Sequence, residues 1–279
     1  MLAERLQKSY QFLTKQQKKV ADFLLSQGPE AAFLSAAQLA NQVKASQATI
    51  VRFSRSIGYG GYVDLQKDLQ SWIKKEISPP QALQKAIAKD RGWDIYSEIF
   101  AMDIQNLSET QKANSKEILN RAVEEIIRAK RIGFTGFRSS HSLAYLLCFF
   151  IGQVRKNCDL LEISLGNLPN QLINYGSRDL LIGISFPRYS SSTLDILRHG
   201  KKVGCKIMAI TDNPVSPIGQ ISDLVLIAGH KSSTYFNSFS STVTLINCLV
   251  AGVSLRNRNS VKVLKSVDQI VNDWRFLLI

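Results

Sequence analysis

The 279-residue chain is 45% hydrophobic and 20% charged, a balance that suits a globular protein and excludes a disordered one. Its 35 Lys and Arg against 22 Asp and Glu leave a formal net charge of +13, which favours a polyanionic partner without naming it. The longest apolar run, LAYLLCFFIG at 143–152, is about half of the roughly 20 residues of a membrane span. MLAERLQKSYQF at the start has no signal-peptide stretch, so the chain is expected in the cytoplasm with no membrane partner.

Residues 1–77 read as helices joined by short turns. TKQQKKVADFLLSQ (14–27) opens on a Thr14 cap, repeats Val20, Phe23 and Leu24 at helical spacing, and ends at Gly28-Pro29. SAAQLANQVK (35–44) has Ser35 as its cap, and Ser46 caps the next helix, ending near Gly58. GYVDLQKDLQSWIKK (61–75) closes the unit. ISPPQALQKAIAKD (77–90) reads as a linker, and Trp93 to Lys130 is helical again. From Arg131 the pattern changes to β-rich runs alternating with helices: RIGFTG, DLLIGIS, KIMAITD and DLVLIAG. That alternation implies a parallel α/β sheet.

The helix after Ser46 is two-sided. At about 100° per residue, Ile50, Phe53, Ser54 and Ile57 share one face and Ala48, Thr49, Arg52, Arg55 and Ser56 the other. A tight turn around Ala45-Ser46 separates it from the preceding helix, as in a helix-turn-helix. Small residues, hydroxyls, an amide and Arg at its exposed start suit a DNA groove. A solvated helix in a bundle has the same periodicity, and the basic charge weighs towards DNA. LSAAQLANQVKASQATIVRFSRSIGYGGYVDLQKDL resembles the N-terminal helix-turn-helix of the RpiR/MurR family of bacterial transcription regulators. Ser46, Thr49, Arg52-Phe53 and Gly58-Tyr59-Gly60-Gly61-Tyr62 carry the resemblance. It implies Ser46, Gln47, Thr49, Arg52 and Arg55 as DNA contacts, with Lys44 a lesser backbone contact and Gly58 the left-handed residue ending the helix.

Two loops suit an anion. RIGFTGFRSSHSLAYLL (131–147) is a strand, a turn with Ser139-Ser140 and a helix, whose N-terminus offers free N–H groups. The third glycine of a dinucleotide fingerprint is missing, although Asp159 stands at about the right distance. A plain serine-capped turn remains the alternative. The second loop follows DLLIGIS and carries Ser190, Ser191, Ser192 and Thr193. Together these units resemble the SIS (sugar isomerase) domain, which the same family carries after its helix-turn-helix and which binds phosphosugars at strand C-termini. Where SIS domains show Ser-x-Ser-Gly-x-Thr/Ser, this chain has Ser185, Pro187, Arg188 and Ser190. Pro and Arg cannot wrap a phosphate with backbone N–H groups in the same way, whereas Arg188 can hold an anion through its side chain. Effector candidates are Ser139, Ser140, Ser185, Arg188, Ser190 and Ser191.

The expected fold is α/β: an N-terminal all-helical helix-turn-helix domain (1–77), a linker and connecting helix (78–105), and a SIS-type three-layer αβα domain with a parallel sheet (106–279). The expected function is a transcription regulator that binds a palindromic operator in double-stranded DNA, as a homodimer or tetramer. Its SIS domain would sense an anionic metabolite, a phosphorylated sugar or sugar acid, and modulate that binding. The 141–152 helix is expected to be buried almost all round, within the domain and at the dimer contact. No cofactor, metal or catalytic residue is expected. Cys148, Cys158, Cys205 and Cys248 read as small buried hydrophobes, and His141, His199 and His230 lack metal-ligand spacing. The rival readings are a SIS-type phosphosugar isomerase using His141 or His230 as base, and a DNA-binding protein whose α/β part serves only assembly.

Overall fold

A computed structural model of the chain describes residues 5–6, 9–26, 31–76, 78–88, 94–163 and 166–274. The chain divides into two compact units, Met1–Asp90 and Arg91–Ile279.

In the first unit, α1 (Lys15–Ser26), α2 (Ala36–Gln42), α3 (Gln47–Ser56), α4 (Tyr62–Glu76) and α5 (Pro79–Ala88) follow one another. Thr14 and Gln17 cap α1 reciprocally, each side chain bonding the other's backbone N–H at 3.4 and 3.0 Å. Ser35 and Gln38 form the same box at α2. Ser46 caps α3 through the Thr49 N–H. The expected stop at Gly28-Pro29 and the expected start at Trp93 lie outside the described residues. α3 buries Ile50, Phe53 and Ser54 completely, against α1, α2 and α4. Burying Ile50 and Phe53 contributes about 1.5–3 kcal/mol each. Gly58 takes φ 90° after α3, the left-handed turn expected there. Within the 77–90 segment, read from sequence as a linker, residues Pro79–Ala88 form α5. Its two prolines occupy the first turn, where no N–H is needed, and the Gln, Ala, Leu and Lys that follow favour helix. No residue of α5 is buried, so its helicity rests on propensity rather than packing.

The second unit begins with α6 (Ile95–Ala113) and α7 (Lys116–Arg128). Five strands follow: β1 (Ile132–Gly136), β2 (Cys158–Leu160), β3 (Leu180–Ile184), β4 (Lys206–Thr211) and β5 (Leu224–Ile227). Between and after them lie α8 (Ser139–Val154), α9 (Leu168–Leu172), α10 (Ser191–Lys202), α11 (Ser240–Arg256) and α12 (Ser260–Asp273). The sheet is parallel throughout, in the order β2-β1-β3-β4-β5, with Gly136 in register with Ile184. Alternate residues face opposite layers. Ile132, Phe134, Ile182, Met208 and Ile210 pack with Ile126, Leu147 and Ile246 of α7, α8 and α11. Leu181, Ile207 and Ala209 pack with Ile196 and Leu197 of α10. This is the three-layer αβα arrangement the sequence implied. The edge strand β2, three half-buried residues, carries too little pattern to be read from sequence.

β5 closes the other edge, and α6 satisfies it. Asn114 accepts from the Ile227 N–H at 3.0 Å and donates to its carbonyl at 2.6 Å, as a neighbouring strand would. Thr110 accepts from Gly229 N, and Asn106 bonds both backbone groups of Lys231. One burial expectation changes, and the α8 expectation extends beyond the single chain. In α8, Leu143, Ala144, Leu147 and Ile151 are buried, but Tyr145 and Phe149 are 54% and 48% exposed in the single chain. Cys205 is buried and Cys148 and Cys158 partly so, whereas Cys248 is exposed, because it lies on the outer side of α11. Burial pushes the Cys148 thiol up to about 12, which makes it inert.

Candidate functional site

α3 carries its exposed residues as one arc. Gln47, Ala48, Arg52, Arg55 and Ser56 are exposed and Thr49 is half-exposed, opposite the buried Ile50-Phe53-Ser54 face. Among the described residues, neither Gln47 nor Arg52 has a side-chain partner, so both are available to a groove. Arg55 is more constrained, its Nε donating to the Gly60 carbonyl at 3.4 Å. Ser46 and Thr49 are engaged with each other: the Ser46 hydroxyl accepts from Thr49 N at 3.1 Å and lies 2.9 Å from its hydroxyl. Lys44 is exposed in the turn between α2 and α3 with φ 52°. The sequence reading missed Arg5. It donates to the Gly58 carbonyl at 2.7 Å and stacks 4.7 Å above Tyr59, fixing the end of α3.

The second cluster lies where the strand order reverses. β1 connects towards β2 on one side, β3 towards β4 on the other, so the C-terminal ends of β1 and β3 are the switch point at which sheets of this kind form a binding crevice. The loops leading to α8 and α10 emerge there side by side. At Gly136 a Cβ would sit 2.5 Å from the Ser140 carbonyl, so only glycine lets the first turn of α8 approach β1. Ser139, exposed, and Ser140, buried, open α8. Ser185 is buried and accepts from the Ser190 N–H at 3.2 Å. Ser190 in turn caps α10 through Thr193 N, and Ser191 is exposed at its first position. Arg188 is exposed with φ 72°, and Arg138, before α8, has φ 56°. Both non-glycine residues hold a left-handed backbone at the mouth of the crevice. Arg138 was not singled out from sequence, since nothing local marks its φ.

A half-buried polar group borders these loops. Tyr189 donates to Asp212 at the end of β4, 2.9 and 3.0 Å from its two carboxylate oxygens, and Thr211 donates at 3.1 Å. His230, after β5, lies close enough to interact electrostatically with Asp212, and its ring packs 5.9 Å from Phe186. Burial raises the Asp212 carboxyl above its ordinary value, opposed by His230 and the Tyr189 bond. Burial lowers His230 below its ordinary value, opposed by the Asp212 charge. Asp212 follows the KIMAIT strand directly, and that strand-end position is the one sequence signal that marks it. His141 lies 3.6 Å from Glu162, and Asp159 is held by Arg131 at 3.0 Å and Tyr175 at 2.8 Å. Among the described residues, no group of His, Cys, Asp and Glu has the clustering of a metal site. No helix of the described residues is long and apolar enough to cross a membrane.

A capped helix pair presenting a basic helix, followed by a parallel αβα domain with hydroxyl-rich loops at its switch point, defines a helix-turn-helix regulator with a SIS-type domain. Residues 1–76 match the helix-turn-helix domain of the rpiR family, and residues 125–252 match the SIS domain. The sugar isomerase domain of the RpiR transcription factor from Sphaerobacter thermophilus is 30% identical, with TM-score 0.60, over 63% of this chain and 98% of that one. The chain belongs to the RpiR family of transcriptional regulators. The transcriptional regulator HexR of Pseudomonas aeruginosa is 27% identical over 264 residues, 91% of this chain and 90% of that protein. The Vibrio vulnificus NanR protein, solved in complex with ManNAc-6P, shares the fold at TM-score 0.68 and 20% identity, over 97% of this chain and 98% of that one.

Proposed function

We propose that this regulator binds a palindromic operator through α3 and alters that binding when an anionic metabolite, a phosphorylated sugar or sugar acid, occupies the β1–β3 crevice. The observation that carries the sensing half is the crevice itself. Two helix N-termini, α8 and α10, start at neighbouring strand ends, each with serine in its first turn and an arginine nearby. The ManNAc-6P complex of NanR supports a phosphorylated ligand for this fold. On the DNA side, Gln47 and Arg52 supply base or phosphate contacts, Arg55 and Lys44 backbone contacts, and Ser46 and Thr49 the capped start that presents them.

A second copy of the chain would cover Tyr145 and Phe149 of α8, together with Val261 and Leu264 on α12, which packs beside it. The resulting homodimer, or a tetramer made of two such dimers, would set two copies of α3 on half-sites spaced by whole turns of about 10 bp. Coupling runs through α6: its Asn106 and Thr110 are bonded to the 229–231 backbone beside His230, and it leads back along the chain towards α5. Such a ligand acts only by binding the two DNA-affinity states unequally. The protein acts in the cytoplasm, where its operator lies.

The test is selection of bound sequences from a random duplex pool at near-physiological salt, followed by titration of the selected operator with phosphosugars. The expected result is a palindromic consensus, lost in Arg52→Ala with the fold retained, and an affinity changed by one sugar phosphate. Sequence-blind binding that fades with salt overturns the operator reading. Operator binding indifferent to every phosphosugar favours the assembly-only alternative. The isomerase reading has one observation in its favour, the half-buried Asp212–His230 pair. Turnover of a phosphosugar that is abolished in His230→Ala or His141→Ala would establish it.

A further inference from the structure

At the other pole of the second unit, a cavity of about 380 Å³ opens among Ile127, Arg155, Lys156, Asn257, Asn259, Lys262, Val263 and Ser266. α8 starts at the C-terminal end of β1 and runs back, so Arg155 and Lys156, just beyond it, lie at the opposite end of the sheet from the crevice. The cavity wall holds three cations and no carboxylate. Arg155 is 92% removed from solvent, since only 8% of it remains exposed. Its hydrogen-bond partners are neutral, the Ala129 carbonyl and the Cys158 sulfur, and among the described residues it forms no ion pair. A guanidinium has five N–H donors, so donors remain for another acceptor. A buried cation without a counter-charge is unfavourable, and two further ammonium groups at the same cavity add repulsion. Asn259 precedes α12 without making a side-chain cap bond, which leaves the positive end of a 14-residue helix at the same wall.

We propose that this cavity is a second anion site that takes a phosphoryl group, free as inorganic phosphate or carried on a small molecule. Arg155 is its buried anchor. Lys156 and Lys262 close it from the solvent side, and Asn259 adds a neutral polar contact. A tetrahedral dianion suits this set because a planar guanidinium offers two parallel N–H groups and the ammonium groups follow the remaining oxygens. The site is independent of the crevice reading, for it shares no residue with it.

The test is calorimetric titration of the full chain with inorganic phosphate and, separately, with glycerol phosphate, at constant ionic strength. Wild type, Lys156→Gln/Lys262→Gln and Arg188→Ala are compared. Both lysines are exposed, so the double variant keeps the fold. The expected result is saturable phosphate binding that survives Arg188→Ala and weakens about tenfold or more in the lysine variant. Tighter binding of the ester assigns a carried phosphoryl group, and equal binding assigns the free ion. Binding unchanged in the lysine variant, or lost only in Arg188→Ala, overturns the proposal. So does a lysine variant that weakens operator duplex binding in a protein indifferent to phosphate, because the cavity is then a DNA contact.

Discussion

Tyr189 and Asp212 stand 23 residues apart, and the phenol of one donates to the carboxylate of the other at 2.9 Å. That bond ties the loop after β3 to the end of β4, on the β4 side of the crevice where the effector is proposed to sit. Tyr189→Phe removes one of two side-chain donors to the half-buried Asp212 carboxylate, Thr211 remaining, and raises Asp212 further above its ordinary value. The variant is expected to lose about 1 kcal/mol of stability, the net contribution of one hydrogen bond. Urea unfolding of the two proteins at neutral pH checks it. An unchanged midpoint would show that the loop does not depend on this bond.

His230 gives the stability a pH dependence whose sign follows from burial. Its folded value lies below the ordinary 6.5, so between the two the unfolded chain binds more protons than the folded one. Stability therefore falls as the pH drops below 6.5, until the folded value is passed. Asp212 works the opposite way: its folded value lies above the ordinary 3.8, and its share of stability falls as pH rises through that window. His230→Gln isolates the first effect. Its melting temperature is expected to fall less than that of wild type on acidification below about pH 6.5. Parallel curves for the two proteins would place His230 in an environment that does not lower it.

Arg188 holds φ 72°, which disfavours a side chain by about 1 kcal/mol, while glycine there adds unfolded-state entropy of similar size. Arg188→Gly and Arg188→Ala are therefore expected to stay within about 1 kcal/mol of wild type in stability. Both should weaken binding of the proposed effector phosphosugar about tenfold or more, since each removes the guanidinium. Thermal shifts with the ligand identified in the operator titration measure both quantities. If the alanine variant retains full affinity, the serines and helix N-termini hold the anion without the arginine.

Local pattern explains which parts of this architecture were legible in the sequence. Ile50, Phe53 and Ser54 read as one buried face because helical periodicity alone places them together, and Thr14, Ser35 and Ser46 read as caps because capping is a local bond. Four of the five strands were visible as apolar runs, since a parallel strand is buried on both faces. Long-range pairs left no such trace. Asp212 meets Tyr189 and His230 only after β3, β4 and β5 are set side by side, and Asn106 meets Lys231 across 125 residues. The left-handed Arg138 was hidden for another reason, because arginine carries no signal for positive φ.

Asn106 offers a way to separate sensing from response. It is fully buried, and its side-chain amide bonds the backbone of Lys231 at 2.8 and 3.1 Å, one residue beyond His230. The Gly229 backbone passes so close to α6 that a Cβ there would lie 2.9 Å from the Asn106 Cα. A displacement of the 228–231 segment by a ligand therefore reaches α6 directly. Asn106→Asp keeps the acceptor for the Lys231 N–H and removes the donor to its carbonyl, leaving two oxygens facing each other. The crevice residues are untouched, so ligand affinity of the DNA-free protein is expected to stay within a factor of about three. The ligand's effect on operator affinity is expected to shrink by about 1 kcal/mol or more, a sizeable part of a typical coupling energy. Calorimetry with the ligand and operator binding with and without it measure the two quantities on one preparation. Full coupling in the variant would exclude this seam as the route and leave the proposed dimer surface of α8 as the remaining path.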